Sequence, residues 1–107
     1  MSEESSLIYN KALDILSRRE HSAKELIFKL EKKFYSTEEI SLTVSKLKKN
    51  NLLNDFRYAE AYVVARKRKG FGPKKIKFEL LSKGIDESDI HKVLNEEGGW
   101  KKAAKNA

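Results

Sequence analysis

The sequence contains no cysteine, which excludes a disulfide framework, a thiolate nucleophile and any cysteine-based metal site. A reducing compartment is compatible with that absence. One proline and five glycines in 107 residues leave little of the punctuation that a turn-rich β fold requires. Long apolar runs are missing as well: no stretch approaches the ~20 residues needed to cross a bilayer. The start, MSEESSLIYNKALDIL, is acidic before a short amphipathic stretch and lacks the basic opening and continuous apolar run of a signal peptide. The expectation is a soluble, cytoplasmic chain with no membrane partner. Its first residues, 1–6, are polar and expected to fray.

What is present favours helix. Hydrophobic residues make up 39% and charged residues 36%, a balance that suits a helix-rich folded chain better than disorder. Tyr9, Ala12, Leu13 and Leu16 share one face over residues 7–19, and Ala23, Leu26, Ile27, Leu30 and Phe34 share one over 23–34. Ser22 with Glu25, and Ser36 with Glu39, have capping-box spacing and predict helix starts near 22 and 36. A third helix carries Ile40, Val44 and Leu47 and ends near Asn50-Asn51. Three more are predicted over 55–69, 73–83 and 87–97, with Gly70 and Gly84 where helix ends tolerate positive φ, Pro73 at a first helical position, and Asp86 as an N-cap.

Shifting the chain on itself by 50 residues aligns His21–Leu47 with Phe71–Glu97. It matches Lys24/Lys74, Phe28/Phe78, Leu30/Leu80, Lys33/Lys83 and Ile40/Ile90, and the helix starts at 22/72 and 36/86 fall in register. The predicted fold is therefore all-α, built of tandem three-helix repeats: repeat 1 over 7–51, repeat 2 over 52–98, and the start of a third, cut short, over 99–107. A short helix buries one stripe only, so each unit is marginal alone and an elongated array is expected.

Charge is distributed unevenly. The net charge of +7 comes entirely from the window between Glu60 and Glu79, where Arg66, Lys67, Arg68, Lys69, Lys74, Lys75 and Lys77 meet no acid; elsewhere basic and acidic residues cancel. A local field of one sign selects a polyanionic or acidic partner.

Three stretches resemble the RecX family of recombination regulators. They are ALDILSRREHSAKELIFKL (12–30), NLLNDFRYAEAYV (51–63) and KGFGPKKIKFELLSKGI (69–85), and the last is the most specific, since Gly-aromatic-Gly-Pro leading into a basic amphipathic helix is uncommon. The resemblance implies a non-enzymatic modulator that binds the RecA recombinase, lodges in the groove of its filament on single-stranded DNA, and suppresses ATP hydrolysis and strand exchange. The chain departs from the family pattern where a third repeat would continue.

The candidate partner and DNA-binding residues are Arg66, Lys67, Arg68, Lys69, Phe71, Lys74, Lys75 and Lys77, with the cations flanking the Gly70-Phe71-Gly72 turn on one ridge. The competing reading is a solvated charge run. Phe71, between two glycines, is the aromatic suited to partner contact; Phe56 and Tyr62 have the spacing of packing residues. His21 and His91 lack a second histidine or a carboxylate array, so no metal site is expected. Glu38/Glu39 and Glu96/Glu97 sit at helix ends, where capping and dipole effects explain them, and no catalytic residue or cofactor is expected. Gly70-Phe71-Gly72-Pro73 lacks the Lys-Ser/Thr of a phosphate loop, so no small-molecule substrate is implied. Trp100 is expected to pack with a third repeat or cover the end of the second. The alternative from another class is a stand-alone DNA-binding helical module, against which the scarcity of base-reading Arg, Asn and Gln near the turn argues.

Overall fold

The computed structural model describes residues 3–98 and 100. Among them are six helices: α1 (Glu3–Arg18), α2 (Ala23–Glu31), α3 (Thr37–Lys49), α4 (Asp55–Arg68), α5 (Pro73–Ser82) and α6 (Glu87–Glu97). They divide into two compact units, one ending at Asp55 and the other beginning at Phe56. The fold is all-α, with three-helix repeats in tandem. Most of residues 99–107, expected as the start of a third repeat, lie outside the described residues.

Local chemistry sets the helix ends. Ser22 completes a capping box: its hydroxyl accepts from the Glu25 amide at 3.1 Å, and its own amide donates to Glu25 Oε1 at 3.1 Å. At Ser36 the hydroxyl half is present, accepting from the Glu39 amide at 3.2 Å. Asp86 accepts from the Ser88 amide at 3.3 Å. Gly72 is the N-cap of α5, so the caps at 22/72 and 36/86 keep the 50-residue register in three dimensions. Gly70 and Gly84 have φ of 95° and 81°, a conformation that costs an L side chain roughly 1–2 kcal/mol.

In the first unit α1 packs on α2 and α3, and α2 on α3. Ile8, Ala12 and Ile15 meet Leu26, Leu30, Ile40, Val44 and Leu47, and Leu53 closes the cluster. Two expectations change here. The face of α1 turned to the core is Ile8–Ala12–Ile15, with Tyr9, Leu13 and Leu16 on its flank. Apolar residues occupy two neighbouring stripes of this helix, and sequence spacing cannot choose between them. Residues 3–6 open α1, where Glu3 and Glu4 lie in the first turn, at the end of the helix that favours negative charge. The boundary expected after Asn51 falls after Asp55, because Leu53 is buried in the first cluster and Asp55 Oδ1 accepts from the Ala23 amide at 2.8 Å.

The second unit repeats the plan. Tyr58, Ala59 and Val63 of α4, Ile76 and Leu80 of α5, Ile85, and Ile90 and Val93 of α6 form its cluster. Phe56, Tyr62, Phe71, Leu94 and Trp100 pack against it, and Trp100 donates its indole proton to the Leu94 carbonyl at 2.7 Å. Trp100 thus covers the second unit.

Candidate nucleic-acid interface

The seven basic residues between Glu60 and Glu79 lie at the end of α4 and, beyond the Gly70–Gly72 turn, in the first half of α5. The turn holds because the Gly70 amide donates to the Lys67 carbonyl at 2.9 Å and the Phe71 amide to the Arg66 carbonyl at 3.1 Å, while Pro73 starts α5 without losing a needed donor. The seven cations divide into two groups. Arg68, Lys69, Lys74, Lys75 and Lys77 are exposed. Arg66 and Lys67 are partly buried and engaged within the unit.

Arg66 makes a two-pronged contact with Glu79 of α5, Nε to Oε1 at 3.0 Å and Nη2 to Oε2 at 2.9 Å, and its guanidinium lies 3.9 Å from the centre of the Phe71 ring. Tyr62 donates its hydroxyl to the same Glu79 Oε1 at 3.0 Å. Partial desolvation acts to raise the Glu79 carboxyl, but the hydrogen bonds from Arg66 and Tyr62 and the charges of Arg66 and Lys75 outweigh it and hold the group below its ordinary value. This contribution to stability is complete above the ordinary carboxylate range and is lost as pH falls through the lower folded value. Lys67 Nζ reaches Glu97 Oε1 at 3.4 Å and the Gly98 carbonyl at 2.7 Å, and sits 5.1 Å from the Trp100 ring. Phe71 is half-buried between Arg66 on one side and Lys75 Nζ at 5.1 Å, and it backs the ridge. Lys77 pairs loosely with Glu87 at 3.6 Å across exposed surface, which is worth little. His91 is exposed, and Tyr58 is buried.

The division of labour gives an expected result. Arg66→Lys keeps the charge but loses the planar fork and the stack on Phe71. The variant should melt several degrees lower while its affinity for a polyanion stays within about twofold; thermal denaturation alongside binding checks it.

Two family models match the chain: "RecX, first three-helix domain" over residues 9–47, and "RecX, second three-helix domain" over residues 54–94. The chain belongs to the RecX family. The Regulatory protein RecX of Legionella pneumophila is 39% identical over 89 residues, which are 83% of this chain and 59% of that protein. That of Pseudomonas syringae is 37% identical over 91 residues, 85% of this chain and 59% of that protein. The crystal structure of RecX from Lactobacillus salivarius superposes with a TM-score of 0.84 at 34% identity, covering 92% of this chain and 64% of that one. The chain therefore spans about three-fifths of the length of these curated relatives. These relatives are named as regulatory proteins, and among the described residues no helix is long and apolar enough to cross a membrane.

Sequence reasoning missed a second basic surface of this RecX-family chain, on α1 and α2. Counted along the chain, its cations are cancelled by nearby acids. The residues that signal it are Arg18-Arg19 and Lys32-Lys33, two pairs that the α1–α2 turn folds toward each other.

Beside that surface lies His21, buried at 1% exposure. Its neutral ring donates from Nδ1 to the Arg19 carbonyl at 3.0 Å and leaves Nε2 to accept from Lys29 Nζ at 2.8 Å. Burial, reinforced by the charges of Arg19 and Lys29, pushes its pKa below the ordinary 6.5. The unfolded chain then takes up a proton that the folded chain refuses, so stability is full above about 6.5 and declines as pH falls toward the lower folded value. Melting temperature should therefore drop more steeply between about pH 7 and 5.5 in the parent than in a His21→Gln variant; equal slopes would refute the neutral buried histidine.

Proposed function

We propose that this chain is a non-enzymatic regulator that binds RecA filaments on single-stranded DNA in the cytoplasm and restrains their ATP hydrolysis and strand exchange. Family membership supports the partner. The observation that carries the surface is the exposed set Arg68, Lys69, Lys74, Lys75 and Lys77 around a turn held rigid by the Arg66–Glu79 pair and Phe71. Five cations on a fixed turn present a field to phosphates or to an acidic groove without a large ordering cost. Arg66, Lys67 and Phe71 serve the ridge from behind. Inhibition follows from bridging neighbouring recombinase subunits and resisting the conformational steps that accompany nucleotide turnover.

The test is cosedimentation of the chain with RecA filaments on single-stranded DNA, beside naked DNA at the same salt. Saturable binding to filaments well above binding to DNA, with slower ATP hydrolysis, is the expected result. Equal binding to both would identify a basic DNA-binding module, and binding to neither would refute the assignment.

A further inference from the structure

In the first unit, α1, the following turn and α2 enclose an open cavity of about 490 Å³. Lys11, Arg18, Arg19, Lys29, Lys32 and Lys33 line it, with Asp14 as its single carboxylate and His21 at its base. Asp14 lies 3.7 Å from Lys11 and 3.6 Å from Arg18, and Arg19 reaches Glu25, outside the lining, at 3.4 Å, so the six lining cations outnumber the carboxylates beside them. Lys29 is directed by its hydrogen bond to buried His21, whose neutral form adds no opposing charge. At the same edge Phe28 is 51% exposed, and Lys32 Nζ stands 4.5 Å from its ring centre.

The second unit differs at the equivalent place. With the caps Ser22 and Gly72 in register, His21 corresponds to Phe71 and Lys29 to Glu79. There the site is filled from within by Arg66, stacked on Phe71 and paired with Glu79. In the first unit a cation stands where the second carries its carboxylate, which leaves the site net positive and open to an anion.

We infer that the α1–α2 cavity binds the sugar-phosphate backbone of a single nucleic-acid strand, with an adjacent base stacking on Phe28. The cations supply phosphate contacts, and His21 is a positioning residue that aims Lys29. An exposed aromatic ring beside the phosphate-sized charge favours a strand with unpaired bases over an acidic peptide, which has no flat face to stack. This deepens the nucleic-acid part of the proposed function but is independent of the recombinase, since it is read on naked oligonucleotide.

The experiment uses the full chain with Arg68, Lys69, Lys74, Lys75 and Lys77 replaced by alanine, so that binding of fluorescein-labelled twelve-nucleotide oligothymidylate at low salt reports on the first unit. In that background Arg18→Ala, Lys32→Ala and Lys33→Ala together, all on exposed side chains, should weaken binding about tenfold or more and lower the salt slope by about 2, at roughly 0.7 per single-strand phosphate contact. Phe28→Ala should weaken oligothymidylate binding several-fold and leave competition by inorganic polyphosphate unchanged. Absence of residual binding in the background, or an unchanged slope in the triple variant, would overturn the site. An oligonucleotide affinity indifferent to Phe28→Ala would overturn the strand reading in favour of a plain anion site. Failure of filament cosedimentation with these outcomes intact would remove the recombinase partner and leave the cavity standing.

Discussion

Replacing Arg68, Lys69, Lys74, Lys75 and Lys77 with alanine is expected to lower affinity for the proposed partner, recombinase filaments on single-stranded DNA, by about 100-fold or more near physiological salt. Each single-strand phosphate contact contributes a salt slope of roughly 0.7, so loss of four or five contacts reduces the slope by about 3 and the affinity at 0.15 M by two to three orders of magnitude. These side chains are exposed, so the fold is expected to survive and the melting temperature to change little. Sedimentation at several salt concentrations measures both quantities. An affinity and slope equal to the parent's would place the interface elsewhere on the molecule. The charge-retaining set, with arginine at the lysine positions, should recover most of the binding, because a phosphate accepts either cation.

Leu80→Ala is expected to unfold the second unit at physiological temperature. Leu80 is fully buried among Ile76, Ile85 and Ile90, and removing a buried leucine side chain costs about 2–5 kcal/mol once the cavity left behind is included. A unit of roughly fifty residues buries too little surface to have much more stability than that in reserve. Leu30, which occupies the matching position of the first unit and is also fully buried, should show the same sensitivity there. Amide spectra distinguish the two variants: Leu80→Ala collapses the dispersion of signals from residues 56–98 and spares the first cluster, which contains none of those residues. Retention of a full cooperative transition near the parent's melting temperature would show that the second core is more robust than its size implies.

Helix ends and the repeat could be read from the amino acids because the forces that set them are local. A serine hydroxyl three residues before a glutamate satisfies helix amides whatever the rest of the chain does, as at Ser22 and Glu25, and a glycine at positive φ ends a helix on its own account, as at Gly70 and Gly84. The 50-residue register survives folding for the same reason, since it is carried by caps and by Leu30/Leu80 and Ile40/Ile90, all buried. The concentration of positive charge between Glu60 and Glu79 was equally plain, because an excess within twenty residues stays together however the helices cross.

The use made of those charges depended on tertiary structure. Arg66 and Glu79 are thirteen positions apart, and only the angle between α4 and α5 brings a fork and a carboxylate within 3.0 Å, which engages one of the candidate contact residues inside the second unit. Lys67 meets Glu97 thirty positions away by the same kind of crossing. In α1 two adjacent stripes were both apolar, and packing against α2 and α3 selected Ile8, Ala12 and Ile15 over the flanking set. The cationic cavity of the first unit was hidden for a related reason: a linear count sets Arg18, Arg19, Lys32 and Lys33 against nearby glutamates, whereas the turn after α1 turns those cations toward one another. The residues by themselves determined where the helices start and stop, that they come as a repeated triplet, and where charge is in excess. Which face is buried, which cations are paired and which stay exposed were decided by helix crossings, because Coulomb and hydrogen-bond energies depend on distances of a few ångströms that sequence separation does not specify.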